Sequence, residues 1–170
     1  RPQVASGNLD LILVKPYHPF LRVLIGGVDF LDLLLLLPYS LMLLFFIFQE
    51  NVSFFSFLLY LILVINGLII ATAFHIAVLA LGLLTTEVDN AIMIYRDLLN
   101  FGRFPVEIYQ QTISFVLTFI IPIGVMITFP VKSLFNFLGF KNIVFAFFIA
   151  FFLLSLSIKL WRLGLKKYQS

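Results

Sequence analysis

The residues of this sequence that could do chemistry are polar side chains inside long apolar stretches. A carboxylate at mid-bilayer depth costs about 2.5–3.5 kcal/mol on insertion scales, so such groups often serve a function. Asp29 and Asp32 stand one helical turn apart at the start of an apolar stretch. They could form a cation or gating contact, although we favour simple hydration at a helix end. For His75 we favour a hydrogen bond to a neighbouring helix over a proton relay. The other polar residues at this depth are Asn66, Thr112, Ser114 and Thr118.

No motif of a known enzyme class accompanies these side chains. The sequence lacks a G-x-x-x-x-G-K-[ST] loop for nucleotide phosphates, an H-E-x-x-H zinc motif and a G-x-S-x-G nucleophile elbow. Its two histidines, His18 and His75, are far apart, and it has no cysteine, which excludes disulfides and thiolate metal sites. We therefore expect no enzyme activity and no cofactor in this chain, so that ATP-driven work would fall to a partner.

The composition shows which solvent surrounds these residues. Of 170 residues, 62% are hydrophobic and only 11% are charged, and the mean hydropathy is +1.14. A soluble domain is about 45–50% apolar and 25% charged, so lipid must surround most of this chain. The net charge of +3 does not indicate nucleic-acid binding, because the basic residues form no single stripe. The predicted fold class is all-α, a polytopic helical membrane protein.

Four apolar stretches predict four transmembrane helices. They cover about residues 28–48, 54–84, 108–129 and 143–160, and each approaches or exceeds the roughly 18–20 residues that cross a bilayer. Pro122 should kink the third helix because it has no N–H to donate. Two short amphipathic helices are expected on the cytoplasmic side, one within residues 7–20 and one over 85–103. The second could be a passive interfacial helix or a docking surface for a cytoplasmic subunit, and composition does not separate these.

The distribution of Lys and Arg predicts the orientation. Nine of them fall in residues 1–27, 85–107 and 159–170, against only Lys132 and Lys141 in the alternate connections. By the positive-inside rule the first set is cytoplasmic. Both ends of the chain should therefore lie in the cytoplasm, with the connections 49–53 and 130–142 on the outer side.

Several short motifs resemble one family in their order along the chain. Residues 6–16, Ser-Gly-Asn-Leu-Asp-Leu-Ile-Leu-Val-Lys-Pro, resemble the segment that precedes a span in permease subunits of type-2 ABC exporters, in particular a bacterial branch of ABC transport system permeases. Residues 100–109, Asn-Phe-Gly-Arg-Phe-Pro-Val-Glu-Ile-Tyr, are similar to a second motif of that branch. The pairs Ile121-Pro122 and Phe129-Pro130 and the ending Trp161 to Tyr168 continue the resemblance, which covers nearly the entire chain.

The resemblance implies a transport function and specific partners. It implies six spans, the first two of which would precede these residues, in the bacterial inner membrane. It also implies pairing with a second permease subunit, identical or related, and with a separate ABC ATPase that carries ATP and Mg²⁺. The ATPase-coupling segment would contain Asp10, Lys15, Pro16 and Tyr17, and a second cytoplasmic contact would contain Glu87, Arg96, Asp97 and Arg103. The substrate would be amphiphilic, drug-like or lipid-like, and would leave the cytoplasm by alternating access.

Two other functions compete with this one. A membrane scaffold subunit could assemble a larger complex without moving a solute, and an intramembrane enzyme is a more distant alternative. Substitutions at Asp10, Lys15 and Pro16 separate the first two, because they should abolish ATP-dependent export by a permease and leave its membrane insertion intact.

Overall fold

The structure, a computed structural model, describes residues 30–84, 93, 97 and 99–169, with only the backbone of residues 32, 82, 83 and 167–169. Every regular element in these ranges is helical, so the predicted all-α fold is confirmed. The chain divides into two units, one ending at Val52 and the other beginning at Ser53. The predicted helix within residues 7–20 and most of the predicted amphipathic segment 85–103 lie outside the described residues.

In the first unit, helix α1 covers Phe30–Gln49 and contains Pro38. Pro38 cannot donate a backbone hydrogen bond, and nearby the hydroxyl of Ser40 donates to the carbonyl of Leu37 at 2.8 Å. The helix ends in a turn at Asn51, whose φ of 49° lies in the left-handed region that Asn tolerates. Its apolar part, Leu33–Gln49, is about 26 Å long at 1.5 Å per residue, slightly less than a bilayer core.

In the second unit, two long helices, α2 (Phe54–Leu84) and α5 (Phe140–Gln169), run parallel. The buried side chain of Asn66 donates to the carbonyl of Ala146 at 3.0 Å. Further along both helices, Ala77 and Ser157 line the same cleft. Because the contact register is constant, the carboxyl ends of α2 and α5 lie on the same side. The shared core includes Leu63, Ile70, Ala146 and Ala150.

Between these helices the chain forms a bent hairpin, residues 111–134. Its first arm, Gln111–Ile120, contains helix α3 (Gln111–Phe115) and a π-helical segment, Val116–Ile120. Its second arm, Gly124–Leu134, contains a second π-helical segment, Gly124–Thr128, and helix α4 (Phe129–Leu134). The two arms meet at an angle of 83°.

The described residues contain two to three candidate membrane spans. Among the described residues, two helices are long and apolar enough to cross a membrane, Phe54–Leu81 within α2 and Phe140–Lys166 within α5. The bent hairpin would make three if it counted as one span, and Leu33–Gln49 is shorter. The hairpin differs from the predicted third helix because its backbone breaks around Pro122. Helix α5 is longer than the predicted 143–160 because the basic residues after Leu160 continue the helix beyond the apolar stretch.

Candidate functional site

The hairpin bends where the backbone ladder is interrupted between Ile121 and Ile123. Pro122 has no N–H, and Ile121 leaves helical geometry with φ −114° and ψ 76°. The Ile121 N–H donates to the carbonyl of Val116 at 2.9 Å, a π-helical bond that closes the first arm. On the other side, the Met126 N–H donates to the carbonyl of Pro122 at 3.1 Å. Two π-helical segments beside a proline are unusual, and such segments are frequent at functional sites.

Residues 101–109, called the strap below, lead into the hairpin. The strap consists of two 3₁₀ turns, Phe101–Arg103 and Val106–Ile108, joined through Pro105. The hydroxyl of Tyr109 donates to the carbonyl of Phe101 at 2.9 Å, and the two rings meet edge to face with centroids 5.8 Å apart. These contacts connect the two ends of the strap and make it a compact unit.

The strap packs along the second arm of the hairpin. A Cβ atom on Gly102 would lie 2.2 Å from Cδ1 of Ile127, so only glycine fits there without displacing that side chain. The backbone N–H of Val106 points to Oγ1 of Thr128 at 3.5 Å. Val106 also shares a small apolar core with Leu117 and Ile123. The strap therefore contacts both arms close to the break.

An ion pair between Glu107 and Lys132 joins the far end of the strap to the second arm. Partial burial would raise the pKa of Glu107, but the hydrogen bond from Lys132, a bond to its own backbone and the Lys132 charge lower it overall. Both side chains remain partly exposed, 48% for Glu107 and 35% for Lys132. The pair is therefore accessible and only weakly desolvated.

This ion pair brings together two residues that the charge distribution assigned to opposite sides of the membrane. The side chains of Glu107 and Lys132 touch, so Glu107 does not lie at the far end of a straight span from Lys132. Because α2 and α5 run parallel, the chain still passes from one side to the other between residues 85 and 139. The second arm is about 16 Å long at 1.5 Å per residue, half of a core of about 30 Å. Since the first arm turns away by 83°, the hairpin is a bent segment and not a straight span.

Helix α2 supports the second arm from the opposite side. A Cβ atom on Gly67 would lie 2.8 Å from the carbonyl oxygen of Met126 and 3.2 Å from its Cα, so the two backbones touch. At the other end of the arm, the hydroxyl of Ser56 donates to Oδ1 of Asn136 at 3.0 Å. The second arm therefore runs antiparallel to α2. This contact near the middle of α2 places the broken backbone at membrane depth.

The hydroxyl groups of the hairpin satisfy its irregular backbone. Thr118 donates to the carbonyl of Ser114 at 2.7 Å, a bond of the kind that bends helices. A Cβ atom on Gly124 would lie 2.8 Å from that same Thr118 hydroxyl. Among the described residues, no buried side-chain donor or acceptor lacks a partner. The site offers hydroxyls, backbone carbonyls and one accessible ion pair, a set suited to guiding a solute rather than to bond chemistry.

Two of the polar residues predicted at membrane depth, His75 and Asn66, lie within hydrogen-bond distance of backbone carbonyl groups. Nδ1 of His75 lies 3.1 Å from the carbonyl oxygen of Ala71 in its own helix. Asn66 makes the interhelical bond to Ala146 described above. Asp29 and the side chain of Asp32 lie outside the described residues. No group of three or more His, Cys, Asp or Glu in the described ranges could hold a metal ion.

The predicted coupling residues are only partly visible. Asp10, Lys15, Pro16, Tyr17, Glu87 and Arg96 lie outside the described residues. Asp97 is exposed, and Arg103 is exposed at the end of the first 3₁₀ turn of the strap. Their roles as contacts of a partner stay predictions.

Sequence reasoning identified the strap only as part of a family resemblance and missed its packing partners. The residues that shape the site without having been given a role are Gly67, Gly102, Glu107, Gly124 and Thr128. One signal was present in the sequence: Glu107 and Lys132 carry opposite charges on either side of an apolar stretch interrupted by proline.

Comparison with known proteins gives one match. A family model described as "ABC-2 family transporter protein" matches residues 1–170. No curated protein and no solved structure matches the chain.

Proposed function

Because the chain belongs to the ABC-2 family of transporter proteins, and is thus a membrane component of an ABC transport system, we propose that it is the permease subunit of an ATP-driven exporter. It moves an amphiphilic substrate, drug-like or lipid-like, out of the cytoplasm. The observation that carries this proposal is the family match over residues 1–170. The distribution of Lys and Arg supports chain ends in the cytoplasm, and the resemblance to a bacterial branch of permeases supports a bacterial cytoplasmic membrane.

The broken hairpin supports a path through this region. Non-helical backbone at membrane depth is tolerated only where protein buries it or where it lines a water-filled cavity. The strap and α2 cover part of the hairpin, through Gly102 and Gly67. Interrupted helices near the bilayer midplane are a common element of transport sites. A scaffold subunit needs no such interruption.

An amphiphilic substrate fits the apolar surfaces of the second unit. A cleft of about 170 Å³ between α2 and α5 is lined by Ala73, Phe74, Ala77, Leu153, Leu156, Ser157 and Leu160. It contains one hydroxyl, and Ser157 donates that hydroxyl to the carbonyl of Leu154. Such a cleft accepts apolar parts of a solute.

ATP and Mg²⁺ act on a separate ABC ATPase subunit. Closure of two ATPases moves cytoplasmic segments of two paired permeases, and this motion tilts the spans to open the path outward. In this chain the segment with Asp10, Lys15, Pro16 and Tyr17 receives the motion. Residues Glu87, Arg96 and Asp97 form the second contact, together with Arg103 at the edge of the strap.

Co-expression of the full-length permease with the ABC ATPase encoded beside it tests this function. We expect the two proteins to co-purify, and inverted membrane vesicles to move the amphiphilic dye Hoechst 33342 only when ATP is added. Asp10→Ala and Lys15→Ala should reduce dye movement at least tenfold at normal membrane levels. Lys141→Ala removes a charge of the same type at the start of α5 and should leave it within twofold.

Two results would contradict the proposal. Co-purification without ATP-dependent movement of dye or of a fluorescent phospholipid would favour a scaffold subunit. Normal transport by Asp10→Ala and Lys15→Ala would show that the motor acts elsewhere on the chain.

A further inference from the structure

The break at Pro122 allows the hairpin to bend, and one turn bond, from the Ile123 N–H to the Ile121 carbonyl, spans it. Pro122 donates no hydrogen bond, and the regular ladder stops between Ile121 and Ile123. The arms are also held at 83° by what packs against them. Helix α2 holds the second arm at Met126 through Gly67, and the strap holds both arms around Val106.

The Glu107–Lys132 ion pair is the one charged contact that connects the strap to the second arm in the described part of the chain. Unlike the tight contact of Gly67 with Met126, this pair is reversible. Both side chains are accessible to water, so each charge regains hydration when they separate. Backbone packing against Gly67 offers no such alternative.

The break also contains two segments that can change their hydrogen bonds. Residues Val116–Ile120 and Gly124–Thr128 are π-helical and flank the proline. A π-helical turn holds one residue more than an α-helical turn, so a return to α-helical bonding rotates the arm beyond it. Such a rotation would carry Lys132 away from Glu107, because Lys132 follows the second segment directly within the same arm.

From these three observations we propose that Glu107 and Lys132 are positioning residues: their ion pair latches the hairpin in its bent form and opens in each transport cycle. The proposal rests on the transport function proposed above. The strap and the second arm separate when the latch opens, which exposes the apolar core of Val106, Leu117 and Ile123 to the path.

Cross-linking tests the latch directly, because these 170 residues contain no cysteine. Glu107→Cys and Lys132→Cys are combined in the full-length permease with its ATPase, after replacement of any cysteine elsewhere in the permease. The two thiols are then joined in inverted vesicles by a bifunctional methanethiosulfonate, whose spacer matches two side chains that meet at their tips better than a direct disulfide does. We expect ATP-dependent movement of Hoechst 33342 to fall at least tenfold and to return with dithiothreitol. The two single-cysteine variants, treated in the same way, should keep their activity.

An ion pair that stays closed throughout the transport cycle would give the opposite result, because joining the two residues would then not slow transport. If the cross-linked pair transports dye as fast as the reduced pair, the latch does not open and the proposal is wrong. A second readout needs no transported solute: the rate of cross-linking should fall severalfold when ATP and vanadate trap the ATPase. An unchanged rate also overturns the latch. Absence of dye movement by the unmodified complex would instead count against export, while the cross-linking rate still reports on the latch.

Charge exchange separates positioning from folding. Glu107→Lys and Lys132→Glu should each reduce transport severalfold, and the double variant should recover most of it because the pair is restored with reversed polarity. Lys132→Arg should keep transport. Lys141→Glu makes the same charge change at an exposed position nine residues away and should have little effect. No recovery in the double variant, at normal membrane levels, contradicts the pairing.

Discussion

Helix α2 and the bent hairpin are both strongly apolar, yet only α2 is a continuous helix. Residues 54–84 contain no proline and no Asp, Glu, Lys or Arg, and they form one helix of 31 residues. The hairpin is divided by Pro122 into two arms at 83°. Hydropathy thus identifies which segments enter the membrane, whereas local backbone chemistry decides whether they form one straight helix. The contacts at Gly67 and at the strap then fix the path of the bent segment.

Replacement of Pro122 should have the largest effect, because it should make the bent hairpin more like the continuous helix α2. Proline in a helix interior is about 3 kcal/mol less favourable than alanine, so Pro122→Ala removes the largest local barrier to a continuous helix. Spin labels at Phe115→Cys and Val131→Cys, both exposed positions, measure the bend. We expect their separation to lengthen toward about 24 Å, the rise of a straight α-helix over that interval.

The matched control is Pro130→Ala. Pro130 occupies the first turn of α4, where proline is tolerated, so the label separation should not change. An unchanged separation in Pro122→Ala as well would show that the strap and α2 set the bend without the proline.

The contact between α2 and the second arm should be the next most sensitive. A methyl group on Gly67 would overlap the Met126 backbone, and overpacking typically costs about 1–3 kcal/mol. Alanine recovers up to about 1 kcal/mol through its helix preference. Gly67→Ala should therefore lose about 1–2 kcal/mol in SDS-induced unfolding from detergent micelles, by these two magnitudes.

Gly139→Ala provides the control for that measurement. A Cβ atom there would meet nothing within 4 Å, so this variant has no overpacking cost. Gly139 precedes α5 and accepts its first backbone hydrogen bonds, a position that favours glycine over alanine, so the free energy of unfolding should fall by less than for Gly67→Ala. If Gly67→Ala is equally well tolerated, the two backbones do not pack as tightly as the structure indicates.

The two continuous helices should respond less to loss of their polar contact. Asn66 is 2% exposed and bonds to the Ala146 carbonyl, and interhelical hydrogen bonds in membranes are worth about 0.6 kcal/mol on average and at most about 1.7. Asn66→Leu should lower the free energy of unfolding by about 0.6 kcal/mol, and by no more than about 1.7 kcal/mol. Thr72→Val, which removes a bond within α2 itself, should change it by about 0.5 kcal/mol or less. A larger loss for Thr72→Val would reverse this ranking.

The sequence predicted the continuous helices better than the hairpin, for physical reasons. Helix α2 was predictable because 54–84 is a long run of apolar residues between polar turns, and all its backbone bonds are internal. Pro122 correctly indicated a kink. Its size did not follow, because the 83° bend depends on contacts with residues distant in sequence, such as Gly67 with Met126.

The candidate site was harder to predict because its parts are individually ordinary. Gly102 and Glu107 gave no motif of their own, and their roles appear only when the strap packs on Ile127 and Lys132. The charge count treated residues 108–129 as one straight span. The bent hairpin instead brings Lys132 beside Glu107, which a count of charges along the chain does not detect.

The smallest expected effect concerns the pH dependence of the hairpin's ion pair. The pKa of Glu107 lies below its ordinary value of 4.5 in the folded chain, since Lys132 and the backbone outweigh partial burial. A lowered pKa stabilises the fold above pH 4.5, and this contribution is lost as the pH falls from 4.5 through the folded value. Because the pair is half exposed, solvent screening leaves only a few tenths of a kcal/mol. The test is to measure the free energy of unfolding of the native chain and of Glu107→Gln at pH 7 and at pH 3.5. The native chain should be more stable than the variant at pH 7, and the difference between the two should be smaller at pH 3.5. A widening difference would mean that burial, not Lys132, dominates at Glu107.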